Sequence, residues 1–282
     1  MTQASLFIAT FDMPRHLELV LAGVRSQSVQ DFEILVCDDG SGPETQVIIK
    51  NAQVHFGDRL RIFTQEHQGF RKCRILNQAL RATQGEYCIF LDGDCIPHPR
   101  FVEDHLARAH PKKFLAGRRV ELGQEISGLL DPEKIAKGYL RWPRLEVIKS
   151  ALSGETEFLN RTVRVPWEPL RRVLRMNRIA DMKGCNYSVA RSSLLAINGF
   201  DEEYEGYGRE DTDVELRLQH LGLEIGSLKG VALQYHVWHP RREFTPVNDT
   251  RLEELKRSKR IHCRQGLTTL TDAEGRDLAS KI

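Results

Sequence analysis

Several features are missing or scarce in this 282-residue chain, and each absence closes a class of function. The six cysteines, Cys37, Cys73, Cys88, Cys95, Cys185 and Cys263, form no CxxC pair, which removes the usual zinc and thioredoxin spacings. Some lie inside apolar runs such as Tyr87-Cys88-Ile89-Phe90, so buried, reduced thiols are expected. No apolar run reaches the roughly 18 residues a membrane-spanning helix needs. The opening MTQASLFIATFDMP has no basic segment and no cleavage pattern, so no secretion signal is read and a cytoplasmic protein is expected. The formal net charge is only +2, too small for the broad basic field of a nucleic-acid-binding domain, and no nucleic-acid partner is expected. No GxGxxG follows the first strand-like run, which counts against a dinucleotide-binding Rossmann domain. Internal repeats and low-complexity linkers are also absent.

What is present is a regular alternation of hydrophobic periods over the first ninety or so residues. Ser5 to Thr10, Phe32 to Cys37, Leu60 to Thr64 and Tyr87 to Leu91 are short apolar runs of the kind that form buried strands. Between them, Leu17, Val20, Leu21 and Val24 recur at helical spacing, Glu44 to Phe56 follows a Gly-Ser-Gly-Pro break, and Ile75, Leu76, Ala79 and Leu80 mark a third helix. This order predicts an α/β fold with a mostly parallel sheet flanked by helices, joined by right-handed crossovers. Ligands of such sheets bind beyond the carboxyl ends of the strands. Acidic residues stand at three of those ends: Asp12 after the first strand, Asp38 and Asp39 after the second, Asp92 and Asp94 after the fourth.

In Leu91-Asp92-Gly93-Asp94-Cys95 two carboxylates flank a glycine that permits a sharp turn. Carboxylate oxygens suit Mg²⁺ or Mn²⁺, and such an ion neutralises charge on a diphosphate. A turn bearing two solvated acids is the plain structural alternative. Farther along, Gly206-Tyr207-Gly208-Arg209-Glu210-Asp211 offers a carboxylate pair suited to taking a proton from a hydroxyl, or else an acidic helix start that complements the helix dipole. Tyr235-His236-Val237-Trp238-His239-Pro240 holds two histidines competent as metal ligands. Trp238 offers a face for a sugar, or a core side chain.

The stretches SLFIATFDMPRHLELVLAGVRSQSVQDFEILVCDDGS, GFRKCRILNQALRATQGEYCIFLDGDCIPHPRF and GCNYSVARSSLLAINGFDEEYEGYGREDTDVELRLQHLG resemble, in content and order, glycosyltransferases of family 2 with the GT-A fold. The last stretch is also similar to the carboxyl-terminal segment of galactosyltransferase-like enzymes. The resemblance implies a nucleotide-sugar-binding α/β half over residues 1–121, an acceptor-binding and catalytic half of the same domain over 122–240, and a charged tail over 241–282, helical from about Asp249. It implies that Thr10, Asp12 and Asp39 line the nucleotide pocket, with Asp39 accepting from a base N–H, as a uracil provides. A helix-capping turn is the alternative for Asp38 and Asp39. From the residues themselves, Arg71 and Arg74 at the start of the third helix read as diphosphate contacts, or as solvated helix charges. Asn186 faces the donor sugar or belongs to a structural turn.

By the same resemblance Asp94 and His236 hold the metal, with His239 the second choice of histidine and Asp92 contacting metal or ribose. Asp211 is the general base and Glu210 binds acceptor hydroxyls. The implied reaction is inverting transfer from a nucleoside diphosphate sugar, UDP-linked by preference, to a saccharide or glycolipid hydroxyl in cell-surface polysaccharide or lipopolysaccharide synthesis. Alternatives are a nucleotidyltransferase of the same fold and a catalytically silent carbohydrate- or nucleotide-binding module. The arginine-rich run, Arg161, Arg164, Arg171, Arg172, Arg175 and Arg178, reads as contact with the inner face of the cytoplasmic membrane, contact with a phosphorylated acceptor, or a solvated helix face.

Overall fold

The computed structural model describes residues 3–240 and 243–269. Its strands are β1 (Ala4–Thr10), β2 (Phe32–Asp38), β3 (Leu60–Thr64), β4 (Tyr87–Asp92), β5 (Cys95–Pro97), β6 (Lys113–Ala116), β7 (Val120–Glu121), β8 (Asn186–Ala190), β9 (Glu224–Ser227) and β10 (Gln234–His236). The first helices are α1 (Pro14–Arg25), α2 (Pro43–Phe56), α3 (Lys72–Ala82) and α4 (Phe101–Leu106). The irregular middle holds α5 (Gln124–Leu129), α6 (Pro132–Ala136), α7 (Leu145–Leu152) and α8 (Glu168–Val173). Beyond it come α9 (Arg191–Ala196), α10 (Glu210–His220) and α11 (Val247–Ser258).

The main sheet has seven strands in the order β3-β2-β1-β4-β8-β6-β9. Its strand pairs are parallel except where β8 runs against β4 and β6. Both faces are covered, which is why the early strands read as unbroken apolar runs rather than alternating ones. On β1, Leu6 and Ile8 join the core under α1 and α2, while Phe7 joins the core under α3. Phe90 stacks between Phe7 and Tyr187, at centroid distances of 4.6 and 4.3 Å, and ties β4 to its neighbours on both sides.

A second sheet of three short strands, ordered β5-β10-β7, stands beside the carboxyl edge of the first. Both sheets draw on both halves of the chain: β6 of the first half sits between β8 and β9 of the second, and β10 sits between β5 and β7. Residues 122–240 thus complete sheets that the first 121 residues begin. The tail helix α11 starts two residues ahead of Asp249; positions 241–242 and 270–282 of the expected tail lie outside the described residues.

The arginine-rich run divides by environment. Arg164 binds the buried Asp104 through its Nε at 2.9 Å, and Arg171 is buried, donating to Ser227 O at 2.7 Å. Both pin the middle segment to the sheet, whereas Arg172, Arg175 and Arg178 are exposed. A second buried charge pair fixes α10: Arg217 and Asp213 are both fully enclosed, with Nε to Oδ2 at 2.7 Å. The Arg217 guanidinium also donates to Ile197 O and Gly199 O, each at 2.8 Å, and so clamps the turn after α9. Removing one partner of such a pair strands a buried charge. Asp213→Ala is expected to lower the unfolding free energy by about 3–5 kcal/mol, read from urea denaturation; a midpoint matching the parent protein would show that the pair holds nothing.

Candidate functional site

The site forms where β1, β2, β4 and β6 end and the antiparallel β8 begins. A cavity of about 930 Å³ opens there, within the range of small-ligand sites. Gly93 makes the geometry possible. Its N–H donates to Ala9 O at 2.7 Å, and a Cβ at this position would fall 2.9 Å from Thr10 Oγ1. The backbone therefore turns hard against β1, and the two flanking carboxylates part company.

Asp94 goes to the small sheet. In that sheet Cys95 pairs with His236, and His236 pairs with Glu121, so one row of the register delivers the residue after Asp94, a histidine and a second acid. Ligand atoms of Asp94, His236 and His239 all lie within 4.8 Å of one another. His239 Nε2 is 3.2 Å from Asp94 Oδ2, and the two Nε2 atoms are 3.1 Å apart. Each ring's other nitrogen faces an acceptor: His236 Nδ1 meets Glu121 Oε2 at 2.7 Å, and His239 Nδ1 meets Pro240 O at 2.8 Å. Those partners put the hydrogen on Nδ1 and leave both Nε2 lone pairs aimed at each other and at a carboxylate. Three electron-rich atoms converge, and only a cation or an added proton relieves their repulsion. This donor set fits a divalent ion such as Mn²⁺. Burial would raise the Asp94 pKa, but when an added proton takes the cation's place the hydrogen bond from His239 and the charge of His236 outweigh burial and hold the carboxyl well below its usual range. Burial likewise opposes ionisation of Glu121, yet the bond to His236 and the charge of Arg119 bring it down to about 2. Glu121 in turn accepts from Arg119 Nε at 2.7 Å.

Asp92 takes the other direction. Its Oδ1 accepts from Lys72 Nζ at 2.7 Å, and it stands outside the three-residue cluster. Burial disfavours the Lys72 charge, but Asp92, Glu210 and Asp211 together hold its pKa well above the ordinary value. At the start of α10, Glu210 accepts from Gly208 N at 3.1 Å. Burial lifts its pKa against the pull of Lys72, and Asp211 adds to the lift. Asp211 Oδ2 accepts from Gly184 N at 3.0 Å, which ties α10 to the segment entering β8. Lys72, Asp92, Glu210 and Asp211 all line the cavity.

On the other flank Thr10, Phe11, Asp39 and Phe70 line the wall. Thr10 Oγ1 is buried with no hydrogen-bond partner. Asp39 accepts from Gln65 Nε2 and, at 2.8 Å, from Arg71 N. Phe11 stacks on His67 at 4.1 Å between centroids. Asp38 serves the turn instead, accepting from Ser41 N and Gln46 Nε2.

Four expected contacts lie elsewhere. Asp12 is exposed outside the cavity wall, accepting from Gly42 N. Arg71 places its backbone on Asp39 and its guanidinium on Gln68 and Glu66 O, and Arg74 is exposed; neither lines the cavity. Helix phase explains this. Lys72 and Ile75, three residues apart, share the cavity face, and Arg74 points off it. Asn186 is fully buried, with Nδ2 donating to Ala232 O at 2.9 Å and Arg118 O at 3.2 Å, and it acts as a brace between strands. Trp238 does line the cavity, 40% exposed, its backbone N–H donating to Ser127 Oγ at 2.9 Å. Sequence reasoning passed over Lys72, Glu121 and Arg119. The sequence signal for Lys72 was its place at the helix start beside the two arginines chosen instead.

Comparison with known proteins identifies the family and the fold. The family described as Glycosyl transferase family 2 matches residues 5–149, more than half of the chain, and one described as N-terminal domain of galactosyltransferase matches 170–240. A chondroitin synthase from Escherichia coli is 26% identical over 259 residues, covering 85% of this chain and 35% of the relative; the chain thus spans about a third of that protein's length. Among solved structures, S. aureus TarS 1-349 in complex with UDP aligns with a TM-score of 0.60 at 14% identity, covering 94% of this chain and 67% of that one. A mannosyltransferase from Pyrobaculum calidifontis, in complex with GDP-Man and Mn²⁺, aligns at 0.55 and 16% identity, covering 85% and 58%. These likenesses establish the GT-A fold.

The site makes a prediction that separates its two aspartates. Titrated with Mn²⁺ and followed by electron paramagnetic resonance, Asp94→Asn and His239→Ala should lose most binding, and Glu121→Gln should weaken it about 10–100-fold by freeing the His236 ring. Asp92→Asn should have the smallest effect of the four. Equal losses in Asp92→Asn and Asp94→Asn would refute the division of roles.

Proposed function

The chain belongs to glycosyl transferase family 2, and from that premise we propose that it transfers a sugar from a nucleoside diphosphate donor to a hydroxyl of a saccharide or lipid-linked saccharide, inverting the anomeric carbon. The observation that carries the reading is one cavity with a metal-competent cluster and a carboxylate pair on its wall. The acceptor oxygen attacks the anomeric carbon as the bond to the diphosphate breaks. Asp211 takes the hydroxyl proton, and the diphosphate leaves with the bonding electrons. Glu210, its pKa raised, orients acceptor hydroxyls beside it. Lys72 fixes Asp92 and places a positive charge next to both acids of α10. Asp94, His236 and His239 would hold the divalent ion, which would supply charge to neutralise that developing on a leaving diphosphate.

Thr10, Phe11 and Asp39 receive the nucleoside. A carboxylate has about four lone-pair sites, so Asp39 can accept a uracil N–H beside its two protein donors, which favours UDP. A role in cell-surface polysaccharide assembly is supported by the chondroitin synthase likeness. Among the described residues no helix is long and apolar enough to cross a membrane. Exposed Trp167, Leu170, Val173 and Leu174, beside Arg172, Arg175 and Arg178, suit peripheral contact with an anionic cytoplasmic membrane face where a lipid-linked acceptor would lie.

Product analysis tests the reaction. Incubated with a UDP-sugar and an acceptor library, the enzyme should release UDP, not pyrophosphate, with inverted anomeric configuration by NMR. Asp211→Asn should fold normally and lose about 10²–10⁴-fold in turnover. A fully active Asp211→Asn protein would remove Asp211 from the role of base.

A further inference from the structure

The reading above leaves a group of cations on the cavity wall without a task. Arg118, Arg119, Arg161 and Lys183 all line it. Arg119 is engaged by Glu121. Asp181 is shared by Arg118 and Lys183, the latter at 2.7 Å, so one carboxylate serves two cations. Arg161 donates to Arg119 O at 2.9 Å, and no carboxylate lies within ion-pairing distance of it among the described residues. Its guanidinium stacks 3.6 Å from the centre of the Phe158 ring. Phe158 has φ 61°, a left-handed conformation that a bulky residue adopts only when the surroundings demand it. The strain aims an aromatic ring, and the arginine laid on it, at the cavity. Nearby Lys229 adds a further positive charge, and Glu155 and Glu157 are the other acids of this wall. Burial lowers the Arg161 pKa, and the charges of Arg118 and Arg119 lower it further; burial, Arg118 and Arg161 do the same to Lys229. The cations repel one another, and of their acids Asp181 is shared by two of them while none forms an ion pair with Arg161 among the described residues.

Its position along the sheet edge says which substrate it meets. The edge runs β2, β1, β4, β8, β6. Asp39 follows β2, the metal-competent Asp94 follows β4, and Arg118 follows β6. Four strand spacings separate the first from the last, about 19 Å at roughly 4.8 Å each. The diphosphate belongs at Asp94, so the cations sit two strands beyond it, on the side away from the nucleoside. Asp211, joined to the segment entering β8, lies between.

Resting on the transferase reading, we infer that the acceptor is anionic, and that Arg118, Arg161 and Lys183 receive a carboxylate or phosphate ester on the part of it that enters the cavity. Guanidinium groups pair with either anion through paired hydrogen bonds, and an uncharged sugar would leave the cations unanswered.

Three oligosaccharides of equal length, ending in a uronic acid, a hexose 6-phosphate and an uncharged hexose, form the test. Calorimetry measures their binding to the protein with UDP and Mn²⁺ present. At least one charged ligand should bind about ten-fold or more tightly than the uncharged one. Arg161→Gln and Lys183→Gln, changes at sites with few internal bonds, should reduce that preference. Whichever charged ligand binds tighter identifies carboxylate or phosphate as the group. Equal or undetectable binding of all three, or a preference that both variants retain, overturns the inference. UDP binding is read first in the same cell: its absence counts against the donor site, while the anion preference is scored separately.

Discussion

The short bond from Gly93 N–H to Ala9 O, with no space for a side chain, is the constraint on which the site depends. It forces the chain leaving β4 to turn against β1 and start a second sheet within three residues. Asp92 is left on the main sheet, within reach of Lys72, and Asp94 is carried to the small sheet, within reach of two histidines. Any larger residue at 93 would push the turn away from β1 and move both carboxylates at once. The register of the small sheet then does the rest. Glu121, His236 and Cys95 stand in one row, so the histidine is oriented by an acid on one side and meets the Asp94 turn on the other.

Charge is distributed along the edge in a consistent order. Lys72 neutralises Asp92 and restrains Glu210 and Asp211, three acids that would otherwise repel one another across the cavity. The metal-competent cluster is the opposite case, three electron-rich atoms that require a positive charge from outside the chain. Beyond β8 cations gather, and Arg118, Arg161 and Lys183 have a single ion-paired acid, Asp181, among them. A nucleoside, a diphosphate and an anionic acceptor, laid side by side, would meet complementary groups in that order.

Much of this arrangement was legible before any coordinates. The early strands read correctly to within a residue because strands buried on both faces show as continuous apolar runs, and Leu60–Thr64 matched to the residue. Asp94 and the two histidines were legible through their motifs. The two arginines were misplaced for one reason. Arg71, Arg74 and Lys72 are consecutive or nearly so, and choosing among them requires helix phase, since each residue turns the direction by about 100°. Asn186 was a candidate because its segment resembles one that lies below a donor sugar, with a structural turn as the alternative; the packing of β8 against the Arg118 and Ala232 segments shows it bracing strands. Glu121 was invisible because its role depends on a strand pairing across more than a hundred residues. The arginine-rich run could not be divided into pinned and exposed members without knowing that Asp104 is buried beneath Arg164.

The central claim is that this edge is a metal-dependent nucleoside diphosphate site. The most direct test is calorimetric titration of a panel of nucleoside diphosphates into the protein, once with Mn²⁺ and once with a chelator. The account predicts that UDP binds best, that Mn²⁺ strengthens it, and that the chelator abolishes the gain. Failure of every nucleotide to bind under both conditions would contradict it.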